Sequence, residues 1–159
     1  MKIVNIVGFQ DLMEDTIIKI QTDDGKVHYG SYNILTCKQY RHSEEMKTYF
    51  NMMLDIPGSY STPDDDLLIS LWDDLRSAML TAISEVEPFI KPDKYSVFID
   101  TIVPSQMIVR VARMKGNEEL GTLWCYKLSY SELYDLQEHG KNIFAGKKHR
   151  REYPDVHIS

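Results

Sequence analysis

The order of apolar and polar segments predicts an α+β fold with the element order βββααβββα. Three short β-branched or aromatic segments occupy residues 2–32, and three more occupy residues 95–128. Two segments with apolar residues at helical spacing lie between these strand groups. Because strands and helices are grouped and do not alternate, the pattern favours α+β over a doubly wound parallel sheet. It leaves open whether the strands form one sheet or two.

The pattern of the first strand group predicts a β-meander. Residues 2–9 and 26–32 are rich in β-branched or aromatic residues, and residues 16–22 alternate between apolar and polar side chains. Asp23-Asp24-Gly25-Lys26 supplies a tight turn, since glycine adopts a positive φ without steric cost. These features predict three short antiparallel strands in sequence order.

Two helices are predicted after the meander. Ser43 is placed to cap the first, and Glu44 and Glu45 follow in its opening turn. The second begins with Thr62 as N-cap and Pro63 at the first helical position. Its apolar stripe faces the core and comprises Leu68, Leu71, Trp72, Leu75, Met79, Ile83 and Val86.

The second antiparallel group contains strands at 95–103, 106–115 and 120–128, followed by a C-terminal helix. Ser129 and Glu132 form a capping box for that helix, and Gly140 ends it. A two-residue turn at Pro104-Ser105 would place Asp100 on one face with Phe98, Ile102, Met107, Val109 and Val111. An unpaired carboxyl buried there is a candidate general acid or base. A bulge, another register or a tyrosine or arginine partner are the alternatives.

Length and composition predict one compact α+β domain over 1–145 and a basic, irregular tail over 146–159. The 159 residues are 43% apolar and 26% charged, which excludes wholesale disorder. No apolar run approaches the ~20 residues of a membrane helix. The two cysteines, Cys37 and Cys125, exclude a disulfide framework and favour a reducing, cytoplasmic location.

The charge of the chain is segregated. The formal net charge is −6, and residues 55–87 alone carry −7, with Arg76 as their single basic residue. Residues 141–159 carry +3. We therefore expect an acidic helix surface and, separately, a basic terminus.

The acidic helix is the candidate partner-binding site. Its proposed residues are Tyr60, Asp64, Asp65, Asp66, Asp73 and Asp74. Carboxylates along a helix can contact lysines and arginines that normally bind phosphate. The leading hypothesis is therefore a non-catalytic regulatory protein that binds a protein with a basic surface. In its sharpest form it inhibits a nucleic-acid-handling protein. Small acidic chains without catalytic motifs are common among phage-like accessory proteins. The alternative for this surface is an ordinary solvated helix face.

The basic tail offers Lys147, Lys148, Arg150 and Arg151 as a second charged cluster. Such a cluster binds phosphate or an acidic surface, and the alternative is a mobile terminus. Direct nucleic-acid binding by the meander and tail is less favoured, because residues 1–140 carry a charge of −9.

The sequence supports an enzymatic function less than it supports a binding function. The chain has no P-loop, no G-x-S-x-G and no histidine pair at metal-ligand spacing, so no metal, cofactor or catalytic residue is predicted. The alternative is a metal-independent nuclease or phosphodiesterase, for example with His28 or His42 beside Arg41.

Overall fold

A computed structural model describes residues 1–10, 16–36, 40–53, 64–103 and 105–149. It confirms the predicted α+β class and the order of strands and helices, with one additional short helix after the meander. In chain order the elements are β1 (Ile3–Gln10), β2 (Thr16–Thr22), β3 (Val27–Ser31), α1 (Asn33–Thr36), α2 (Glu44–Met53), α3 (Asp65–Val86), β4 (Tyr95–Val103), β5 (Gln106–Lys115), β6 (Glu118–Ser129) and α4 (Tyr130–His139).

The described strands form two antiparallel sheets of three strands each, in the orders β1-β2-β3 and β4-β5-β6. The predicted turn joins β2 to β3. Gly25 has a φ of 83°, and its N–H donates to the Thr22 carbonyl over 3.1 Å. The meander prediction is therefore confirmed.

The register of β4 shows the bulge named above as an alternative for Asp100, and not an uninterrupted pairing of β4 with β5. Ile102 pairs with Met107 and Ile99 pairs with Val109, so a bulge at Asp100 absorbs one residue between these two pairs. Asp100 therefore does not share the predicted face with Met107 and Val109. Its side chain is partly exposed, which removes the reason for treating it as a buried carboxyl.

Helix α2 begins as predicted, because the Ser43 hydroxyl accepts from the Met46 N–H over 3.1 Å. Helix α3 begins differently. The Asp64 carboxylate accepts from the Leu67 N–H over 3.0 Å, which makes Asp64 the N-cap in place of Thr62. Thr62 and Pro63 lie outside the described residues. The predicted apolar stripe is buried from Leu68 to Ile83.

Helix α4 has the predicted capping box. The Ser129 hydroxyl accepts from the Glu132 N–H over 3.1 Å, and the Glu132 carboxylate accepts from the Ser129 N–H over 3.0 Å. Gly140 ends the helix in the left-handed conformation, with a φ of 63°. The predicted start and the predicted end of α4 are both confirmed.

The chain divides into two compact units between Asp73 and Asp74. Helix α3 therefore contributes residues to both units. Unit 1 is Met1–Asp73 and unit 2 is Asp74–Ser159. A single domain over 1–145 stays a prediction. No helix in the described ranges has the length and apolar character needed to cross a membrane.

Candidate functional site

The exposed side of α3 carries most of the predicted acidic site. The Asp66 side chain is 88% exposed and lies 3.3 Å from the Arg41 guanidinium, which is itself half exposed. Asp64 and Asp74 are also exposed, whereas Asp73 is partly buried and engaged in an interaction. We call Asp64, Asp66, Asp73 and Asp74 the acidic α3 face. Tyr60 lies outside the described residues.

The uncharged positions of this helix side are consistent with a water-facing surface. Ser70, Ser77 and Thr81 are exposed, and Asp66 lies about 10 Å from Asp73 along the helix axis at 1.5 Å per residue. The carboxylates of the acidic α3 face therefore have a spacing at which a single basic surface can contact several of them.

Asp65 does not belong to this exposed surface. It is 7% exposed, and its carboxylate accepts from the His42 backbone N–H over 2.9 Å and also contacts His42 Nδ1. Its position explains the burial, because Asp65 precedes Leu68 by three residues and Trp72 by seven, on the apolar side of α3. This carboxylate binds His42 inside unit 1 and is not exposed to a partner.

His42 connects three segments of unit 1. Nδ1 contacts Asp65 at the start of α3, and Nε2 accepts from the Ser31 backbone N–H of β3 over 2.9 Å. An imidazole nitrogen accepts a hydrogen bond only through its lone pair, so Nε2 carries no proton. The proton is therefore on Nδ1, where it is donated to the Asp65 carboxylate, and the ring is neutral.

The same residues include the types of a nucleophilic triad, with a serine, a histidine and an aspartate in contact. Their geometry is different from that of a catalytic triad. The lone pair of His42 Nε2 is directed at the Ser31 amide, and the Ser31 hydroxyl has no hydrogen-bond partner among the described residues. The His42 side chain is fully buried. In the described arrangement the ring is closed to solvent, so this geometry does not support nucleophilic catalysis.

His28 is the other buried histidine of unit 1, at 4% exposed, with Nε2 3.4 Å from the Thr22 hydroxyl. Burial lowers its pKa from the ordinary 6.5, because water no longer stabilises the charged ring. Asp24 and Asp64 act against this shift, and Lys26 adds to it. His28 and His42 therefore form no exposed pair with Arg41.

The described part of the basic tail is attached to unit 2. Lys147 Nζ lies 2.8 Å from the Glu132 carboxylate and donates to the Lys127 carbonyl over 3.2 Å. The His149 ring stacks on Trp124, with 3.8 Å between the ring centroids. Lys148 is exposed, and Arg150 and Arg151 lie outside the described residues. Lys147 therefore already has a carboxylate partner.

The described residues contain no group of three or more histidine, cysteine, aspartate or glutamate side chains arranged to hold a metal ion. No protein-family model, curated protein or solved structure matches this chain.

Proposed function

We propose that this protein is a non-catalytic, cytoplasmic binding protein that docks a partner with a basic surface through the acidic α3 face. The observation that carries the proposal is the division of α3 into two sides. Leu68 and Leu75 are fully buried on one side, whereas the Asp66 side chain is 88% exposed on the other.

The charge of the helix supports a partner with a basic surface. Arg76 is the single basic residue within 55–87, and Arg41 contacts Asp66 from outside this range, so a lysine- or arginine-rich surface meets these two cations among the carboxylates of α3. Such surfaces normally bind the phosphates of nucleic acids. The sharpest form of the proposal is therefore an inhibitor or regulator that competes with nucleic acid for this partner.

The alternative is a metal-independent nuclease or phosphodiesterase. That chemistry needs a histidine nitrogen open to substrate beside a basic group. Both ring nitrogens of His42 are engaged and its side chain is fully buried, which argues against the pairing of His42 with Arg41. Turnover of a phosphodiester substrate by the purified protein in the presence of chelator would favour this alternative.

The docking proposal is tested with a fluorescein-labelled peptide of alternating lysine and arginine, whose binding is measured by anisotropy at low and physiological salt. The triple variant Asp66→Asn, Asp73→Asn, Asp74→Asn should bind about tenfold more weakly than the natural chain, because each exposed charge pair contributes a few tenths of a kcal/mol to one. Binding of the natural chain should weaken with salt.

The matched control is Asp93→Asn, Glu118→Gln, Glu138→Gln, which removes the same number of carboxylates away from α3, all three of them exposed. We expect this control to retain the affinity of the natural chain. Equal losses in both triple variants would mean that only net charge matters, and unchanged affinity in the α3 variant would exclude the acidic α3 face. The same two variants then serve as baits in a native extract, with duplex DNA as competitor.

A further inference from the structure

The hydrogen bonds of His42 are compatible with only one protonation state of its ring. His42 Nε2 accepts from the Ser31 N–H over 2.9 Å, and Nδ1 faces the Asp65 carboxylate. A second proton on the ring would place an N–H at Nε2, directly opposite the N–H of Ser31. Two donors cannot share a hydrogen bond, so the charged ring and the end of β3 must separate.

The His42 ring is closely packed between β3, α2 and the residues that precede it. A Cβ atom built on Gly30 would lie 3.2 Å from His42 Cε1 and 3.0 Å from Leu68 Cδ1, which shows how closely β3 approaches the ring. The rings of Tyr40 and Phe50 lie edge-on, with centroids 5.4 Å and 5.2 Å from that of His42. Separation of the charged ring from the Ser31 N–H is therefore expected to move the end of β3.

The charged groups near the two buried histidines lie next to His42, at the start of α3 and in the turn between β2 and β3. Asp65 faces His42 from α3, and Arg41 and Asp66 form an exposed pair beside it. His28 has Asp24 and Lys26 in the preceding turn and Asp64 before α3 as its nearest charges. Burial lowers the pKa of His28, so acid adds a second unfavourable charge to the same unit.

We propose that unit 1 contains an acid-sensitive latch, in which protonation of His42 breaks its bond to Ser31 and releases the end of β3 from the first turn of α3. Unit 2 has no counterpart among its described residues, because His139 and His149 are both exposed. Protonation of His42 therefore opens unit 1 locally and leaves the second sheet intact.

The test uses the full chain labelled with ¹⁵N. Imidazole spectra should show the Nδ1–H tautomer of His42 at neutral pH. As the ring gains its second proton, the exchange protection of the Ser31 amide should fall at least about tenfold after correction for intrinsic exchange. The amides of Val109 and Tyr126, in the second sheet, should keep their protection over the same pH range. No partner is needed, so the outcome does not depend on the docking proposal.

Variants separate the latch from a general effect of acid. His42→Gln removes the titrating group, so the pH-dependent step in Ser31 protection should disappear, whereas His28→Gln should keep the step. If His42→Gln does not fold, the spectra of the natural chain decide. The latch is excluded by a proton on Nε2 at neutral pH, by Ser31 protection that survives ring titration, by a ring that stays neutral until global unfolding, or by simultaneous opening of both sheets.

Discussion

His42 shows how one side chain organises the N-terminal unit. Its backbone N–H and Nδ1 both face the Asp65 carboxylate, while Nε2 accepts from Ser31. The negative charge of Asp65 is buried, but it lies in the first turn of α3, where the helix dipole stabilises a carboxylate. A single residue thus satisfies polar groups from a strand and a helix that are distant in sequence.

Replacing His42 by alanine should destabilise the protein by about 3 kcal/mol, because the Ser31 N–H and one Asp65 oxygen lose their partners in a buried site. Urea unfolding followed by circular dichroism measures this change. His139→Ala, an exposed histidine on α4, is the control and should stay within about 0.5 kcal/mol of the natural chain. Equal small effects of both changes would contradict the structural role of His42.

The beginning of α4 shows how a helix terminus is coupled to a distant segment. Glu132 closes the capping box with Ser129 and also binds Lys147 over 2.8 Å. Burial alone would raise the pKa of Glu132, but the hydrogen bonds from Lys147 and Ser129 and the charge of Lys147 bring it below the ordinary 4.5. The ionised carboxylate is therefore the form that the fold stabilises.

The change Glu132→Gln should leave the capping hydrogen bond possible and remove the attraction to Lys147. Because the folded state lowers the pKa of Glu132, its contribution to stability is present above pH 4.5 and is lost as pH falls through the folded pKa. The natural chain should therefore exceed Glu132→Gln in stability near neutral pH and lose this advantage in acid. Urea unfolding across that range tests this, with Glu138→Gln as the control on the same helix.

The stability of the whole molecule should depend on pH through His28. Its folded-state pKa lies below 6.5, so the unfolded chain binds a proton that the folded chain resists. Stability is therefore complete above pH 6.5 and decreases as pH falls toward the folded pKa. His28→Gln should flatten this part of the profile in urea unfolding, and His139→Gln should not. A profile that His28→Gln leaves unchanged would contradict this assignment.

Local sequence signals predicted most of this architecture. The capping box at Ser129 and the turn at Gly25 lie within four residues of the groups they bind, so the signal and the structure share one short segment. The bulge at Asp100 depends on how β5 packs against β4, and a single strand does not specify it.

The buried cluster of His42, Asp65 and Ser31 could be predicted from the sequence only in part. Asp65 follows the helical spacing of Leu68 and Trp72, so its inward position was already present in the periodicity of α3. Its partner was not predictable, since His42 lies 23 residues earlier and the contact forms only in the folded chain.

Because the boundary between Asp73 and Asp74 falls inside α3, neither unit can be excised as a fragment without cutting that helix. Helical pieces shorter than about 12–15 residues are marginal in water unless other elements pack against them. A gene encoding one half alone would thus produce a polypeptide that contains only part of α3. A fragment boundary or a circular-permutation site is therefore better placed outside Asp65–Val86.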